Sequence, residues 1–347
     1  MLTSALNDGC AAAAPRSRGT MSEPRKHHRV PKTHLANFTD QAGRVWVYDP
    51  RSDGPRNMAP VNVSVETDLY SVIRPDGSPD TTVERALGDI ENAGAPVLAR
   101  VVQGTTTLHQ LDGQDRYDFA ALVASIYLRS DTLRQHVANF EGRLLSRAAE
   151  LMISHDGAWD TFARKQASIG KAIRLEQRAK TRAFMADPNR YELHMRKDAT
   201  MMPLATLAPV TELIFNMNWS VIRAPDGEAF VSSDNPAVVM VPSGPGPTFF
   251  RGGLSSKRAE VTLPLSPQLM MFAHWREEIA PTITATRDLV RQLNRQRAGY
   301  AERAVYAHSR SDGVWRLTKK HLGQAIVQTE NDGEARVRLV RARRFTK

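Results

Sequence analysis

The hydrophobic period of this chain shifts between residues 216 and 219, and that shift limits what it can fold into. From about residue 81 to residue 216, apolar side chains recur at steps of three and four, the spacing of helices that bury one face. After residue 219 they alternate, or run in short blocks bounded by Pro, Asp and Gly, as strands joined by turns do. Helices followed by strands, without strand–helix alternation, predict an α+β fold. A central helical block then packs on a mainly antiparallel sheet formed largely by the C-terminal half.

Within that frame the elements can be placed. "GRVWVYD" (43–49) alternates as a strand, and "NVSVETDLYSV" (62–72) is irregular or extended. A helix over 81–102 is opened by Thr81 and Glu84 as a capping box, and Pro96 is expected to kink or split it. Residues 114–153 form one long helix or two joined ones, with Phe119, Leu122, Val123, Ile126, Ser130, Leu133, Val137, Phe140 and Leu144 on the buried face. Further helices are expected over 159–186 and over 199–216, the latter capped by Asp198. "WSVIRAPDGEAFVSSD" (219–234) predicts strand, Pro-Asp-Gly turn, strand. Strands follow at 237–241, 260–265 and 269–274, with a Gly/Pro loop at 243–253. A helix over 285–302 precedes strands at "AVYAHS" and "GVWRL", and a terminal hairpin turns at Asn331-Asp332-Gly333.

Composition bears on the setting. The 347 residues are 41% hydrophobic and 24% charged, and no apolar run approaches the roughly 20 residues of a membrane-spanning helix. The one cysteine, Cys10, lies in an Ala/Pro/Ser/Arg-rich opening, so there is no disulfide framework, and a reducing, cytoplasmic setting is the expectation. Residues 1–24 are expected to be a disordered tail with Met21 as an alternative start, 25–312 a single domain, and 313–347 a basic extension. The net charge of +10 is local. Residues 336–347 hold five Arg and one Lys without an acid, and residues 164–182 hold seven bases against Glu176.

Several stretches taken together resemble a known family. "HHRVPKTHLANF" carries His27, His28, Val30, Pro31, Leu35 and Phe38 in an HHxVPxxxLxxF pattern. It is followed by "WVYD" (46–49), "LYSV" (69–72), Glu84 and Glu91 in "VERALGDIE", and Arg129 in "YLRS". "FVSSDNP" (230–236), "LPLSP" (263–267), the Leu293–Asn294 pair and "AVYAH" complete the series. In this order they resemble an uncharacterised bacterial family, domain-of-unknown-function family 4238, over roughly residues 26–310. Lys32 and Thr33 depart from its pattern, where Gln and an aromatic are usual. The resemblance implies a fold and a set of residues, and no activity.

The candidate chemistry lies in polar clusters. His27 and His28 precede a short helix that Pro31 is suited to begin, and in extended chain their side chains point to opposite sides. They are either hydrogen-bonded helix openers or a general acid/base, a role natural to a group titrating near neutrality. Metal ligation is the weaker reading because no HExxH-type spacing supplies further ligands, although a divalent metal at Asp234 stays open. Glu84 and Glu91, seven apart, project within about 20° of each other at the rim of a buried helix face. Arg129 borders its own apolar arc, either paired with Glu91 or gripping an anionic ligand. Asp234 and Asn235 leave a strand end ahead of Pro236, as turn formers or as site residues, and Ser266 between two prolines is scaffold. Asn294, on the inner side of its helix, either clamps a loop or contacts substrate.

On one continuous helix Arg164, Lys171, Arg174, Arg178 and Arg182 fall in an arc about 80° wide. That row and the Arg-rich hairpin are a candidate nucleic-acid surface. Two functions from different classes follow. One is a phosphodiester hydrolase using His27 or His28, Glu91, Arg129, Asp234 and Asn235 in one pocket. The other is a non-catalytic nucleic-acid-binding or protein-interaction protein in which those residues are clamps.

Overall fold

The computed structural model describes residues 26–67, 69–70, 72–73, 78–171, 175–185, 192–196, 201–241, 253–325 and 336–340. The expected tail, the Asp198 cap, Arg174, nearly all of the 243–253 loop and the Asn331-Asp332-Gly333 turn lie outside them.

The chain opens with β1 (Lys26–His28), α1 (Lys32–Ala36), β2 (Val45–Tyr48), β3 (Arg56–Met58), β4 (Val65–Thr67) and the short pair β5 (Val72–Ile73) and β6 (Pro79–Asp80). The helical block follows as α2 (Thr82–Gln103), α3 (Gly113–Leu128), α4 (Asp131–Ser154), α5 (Asp156–Ser168) and α6 (Leu175–Met185), then β7 (Glu192–Arg196), α7 (Met202–Ala205) and α8 (Leu207–Asn216). The later chain supplies β8 (Asn218–Arg223), β9 (Ser232–Ser233), β10 (Val238–Met240), β11 (Glu260–Pro264), β12 (Leu269–His274) and β13 (Thr282–Thr284). It ends with α9 (Arg287–Tyr300), β14 (Val305–Ala307), α10 (Asp312–His321) and β15 (Arg336–Val340).

Two sheets organise these elements, and the fold is α+β. The larger runs β10-β11-β12-β8-β13, antiparallel except for β13 beside β8. Its inner strand β8, between β12 and β13, is buried on both faces. Trp219 and Val221 join Phe119, Leu122, Val123, Ile126 and Ile214 of α3 and α8 in the main core. Ile222, on the opposite face, packs with Phe230, Met270, Val290 and Leu293 under α9. The smaller sheet, β3-β2-β14-β9, is antiparallel and lies between α1 on one side and α9 with α10 on the other. Among the described residues no helix is long and apolar enough to cross a membrane.

Several elements differ from their sequence expectation for physical reasons. α2 runs unbroken through Pro96, whose exposed position leaves the deprived carbonyl of Asn92 to water. Thr81 forms no side-chain cap on α2. The Thr82 N–H donates instead to Asp80 Oδ1 at 3.0 Å, and Glu84 turns toward His27. The expected single helix over 159–186 is broken at Gly170, where φ is +75°. Arg164 therefore stands exposed on α5, Lys171 follows in irregular chain and Arg178 belongs to α6, so the continuous basic row does not form. The buried face assigned to 114–153 ends early, with Phe140 at 53% exposure and Leu144 at 60%.

Two strand expectations also change. β9 pairs with β14 of the smaller sheet, not with β8 as a hairpin partner. The "GVWRL" stretch lies in α10, begun by the Ser311 side chain, which accepts the Val314 N–H at 3.3 Å. Within the expected 313–347 extension, α10 packs on the smaller sheet and β15 pairs in parallel with β7.

Candidate functional site

Strand pairing with β4 sets the opening histidines, His27 opposite Glu66 and His28 opposite Val65. His27 is 1% exposed and its ring stacks on Tyr70, centroids 5.7 Å apart and planes 4° off parallel. Its Nδ1 accepts the Tyr70 backbone N–H at 2.9 Å. The neutral ring therefore carries its proton on Nε2, a buried atom without a hydrogen-bond partner. Glu84 Oε2 lies 3.8 Å from Nδ1, too far for a hydrogen bond and facing an atom already engaged.

His28 is half-buried against α2. Burial lowers its pKa below the ordinary 6.5, with the Val63 carbonyl and Glu91 pulling it up and Arg129 pulling it down. Burial pushes the Glu84 carboxyl the opposite way, above 4.5, with His27 and Arg129 opposing and Glu91 adding to the rise. Between them stands the expected pair: Arg129 Nη1 donates to Glu91 Oε1 at 2.6 Å. The other Arg129 nitrogens donate to the Ser125 carbonyl at 3.1 Å and the Ser125 hydroxyl at 3.2 Å. With all three nitrogens engaged, Arg129 is a fixed buried charge, not a free grip for a ligand.

At the start of α4, Asp131 faces three guanidiniums. It pairs with Arg29 at 3.2 Å, with Arg303 at 3.2 Å, and closely with Arg134, while Arg29 also holds Glu66. The Ser-Asp-Asn turn lies on the far side of this hub. Asp234 Oδ1 and Oδ2 accept the N–H groups of Glu302 and Arg303 at 3.1 and 2.8 Å, fixing the chain that leaves α9. The Asn235 side chain donates to the Tyr300 carbonyl at 3.1 Å and to Thr132 Oγ1 at 3.3 Å, tying α9 to α4. Burial and the Asp131 charge push Asp234 up to about 6. Burial with the same neighbour pushes Glu302 up to about 7.

The structure thus gathers His27, His28, Glu91 and Arg129, with Glu84, where β1 meets α2. Asp234 and Asn235 fasten the adjoining junction, joined to the first group through Arg29 and Asp131. Asn294 is a clamp: its amide donates to the Ala229 carbonyl at 2.8 Å and accepts the Val231 N–H at 3.0 Å. Ser266 is buried scaffold, its hydroxyl accepting the Gln268 N–H at 3.3 Å. Sequence reasoning gave no site role to Tyr70, Asp131, Arg134 or Glu302. It left His34 and Arg297 unassigned as well, both fully buried, with His34 Nε2 3.0 Å from Ser232 Oγ. The signal available was a polar residue breaking an apolar helix face, which singles out Arg134 and Arg297. Among the described residues no group of three or more His, Cys, Asp or Glu is disposed to hold a metal ion.

No curated protein and no solved structure matches this chain. The model of one family, DUF4238, described as a protein of unknown function, matches residues 26–311. These are the residues that build both sheets and the polar junction between them, and the chain belongs to that family.

Proposed function

We propose that the chain is a hydrolase that cleaves phosphodiesters by general acid–base catalysis where β1 meets α2, with His28 as base and Glu84 as acid. The observation that carries this reading is that His28 and Glu84 share Glu91 and Arg129 as neighbours while burial drives their proton affinities toward each other. Narrowing the gap between an imidazole and a carboxylic acid lets the neutral base and the protonated acid coexist near one pH. Each residue is partly exposed, while His28 Nδ1, the ring nitrogen free to take a proton, is buried without a hydrogen-bond partner and Arg129 is closed off.

Neutral His28 takes a proton from water as its oxygen attacks phosphorus. The ester P–O bond breaks as Glu84 gives its proton to the departing oxygen, leaving a phosphomonoester and an alcohol. The His28 proton then returns to the Glu84 carboxylate through solvent. Glu91 favours the imidazolium that forms, and Arg129 supplies a fixed positive charge. The test is turnover of a chromogenic phosphodiester by the full chain in chelator. His28→Ala and Glu84→Gln are each expected to lower kcat by roughly 10²- to 10⁴-fold. Wild-type rates in both variants, or an inert wild type, would overturn the reading.

A non-catalytic nucleic-acid-binding role is the second reading, favoured by the exposed bases Arg164, Lys165 and Lys171 around Gly170. It predicts salt-sensitive retention of DNA or RNA that Arg164→Glu with Lys171→Glu weakens, with a shallower salt dependence. Retention unchanged by the double substitution would remove it.

A further inference from the structure

Beside the acid–base pair lies a set of buried donors with nothing to donate to. His27 Nε2, the Tyr70 hydroxyl, and Nε and Nη1 of Arg134 are all buried without a hydrogen-bond partner. The three side chains are 1%, 1% and 5% exposed. Such groups are rare in folded proteins, where buried polar atoms are almost always satisfied. Here they occur together. Tyr70 stacks on His27, and its hydroxyl lies within electrostatic reach of Arg134, Arg129, Asp131 and Glu84.

Their chemistry is one-sided. An arginine nitrogen can only donate, and His27 Nε2 must be N–H because Nδ1 accepts the Tyr70 backbone N–H. The Tyr70 hydroxyl stays protonated, since burial raises its pKa. The carboxylate nearest Arg134, Asp131, is shared among three guanidiniums and engages only one Arg134 nitrogen, leaving Nε and Nη1 without an acceptor. A water molecule would bring its own protons to such a place. A group with several acceptor oxygens and negative charge fits better, and arginine beside tyrosine and imidazole N–H is a fitting cradle for phosphate.

We infer that His27, Tyr70 and Arg134 form a binding site for a phosphate group. Phosphate binding here requires no turnover. That the bound phosphate is the scissile one, or its product, rests on the hydrolase reading above.

The experiment is calorimetric titration of the full chain with inorganic phosphate at constant ionic strength, with sulfate and acetate in parallel. Saturable binding of phosphate and sulfate, with acetate weaker, is expected. Tyr70→Phe keeps the ring and its stack on His27 but removes the hydroxyl, and it is expected to weaken phosphate binding roughly tenfold. Arg134→Met is expected to abolish binding. Because Arg134 also pairs with Asp131, the Tyr70 variant decides the matter if the Arg134 variant does not fold. No saturable phosphate binding by the wild type, or an unchanged Kd in Tyr70→Phe, would overturn the site. His28→Ala separates the two proposals: it is expected to stop turnover and leave phosphate affinity within about twofold. Phosphate binding without turnover in the wild type would sink the hydrolase and leave this site standing.

Discussion

Burial acts on individual side chains here with opposite signs for opposite charges, and stability should follow. His34 is fully buried, and burial pushes its pKa down to about 3, with the Arg297 charge contributing. In the unfolded chain it takes a proton below about 6.5, so the folded state loses stability as pH falls from 6.5 toward 3. The slope is about 1.4 kcal/mol per pH unit. Glu302 behaves inversely. Raised to about 7, it is protonated in the folded state while the unfolded chain is ionised down to about 4.5. Its burden is full above pH 7, shrinks as pH falls, and is gone below 4.5. Glu302→Gln is therefore expected to stabilise the protein by roughly 1–3 kcal/mol at pH 8. The gain should fade between pH 7 and 4.5, as urea unfolding across that range would measure. A gain independent of pH would show that the Asp131–Asp234–Glu302 cluster does not hold a proton.

At the scale of elements, the helical block depends on close approach and on caps. A Cβ at Gly94 of α2 would stand 2.7 Å from Leu122 Cβ and 2.9 Å from the Asp118 carbonyl of α3. Gly94→Ala should force the helices apart and cost about 1–3 kcal/mol despite its better helix propensity. Ser130, between α3 and α4, accepts the Leu133 N–H at 3.3 Å, and Ser130→Ala should cost about 1 kcal/mol. Thermal unfolding of both variants checks these values. The element types were legible where a local pattern was strong: α2, α3, β8, β11, β12 and α9 all follow their apolar spacing. The rest depended on tertiary context. Residues 314–317 alternate too briefly to separate strand from helix, and the Ser311 cap decided it. The partner of β9 was hidden because Ser232 and Ser233 pair with a strand more than 70 residues later. The Glu91–Arg129 pair was legible because both residues sit at the rims of apolar helix faces. The Asp131 hub was not, since its arginines come from the residue after β1, from α4 and from the chain after α9.

For the molecule as a whole, the polar junction is where the helical block, the opening strands and the smaller sheet are joined. Asp234 and Asn235 hold α9 and α4, and the Arg29–Asp131 contact ties β1 to α4. Together they give His28 and Glu84 a rigid setting. The proposed acid–base pair should show its protonation states in the rate. The most direct test is the pH dependence of kcat/KM for phosphodiester hydrolysis, in the wild type and in Glu84→Gln. The account predicts a bell whose acid limb belongs to His28 and whose alkaline limb belongs to Glu84. Its optimum should fall on the acid side of neutrality, between the ordinary values of 4.5 and 6.5. Glu84→Gln should lower the rate and remove the alkaline limb. An optimum above neutrality, or an alkaline limb that survives in Glu84→Gln, would contradict it.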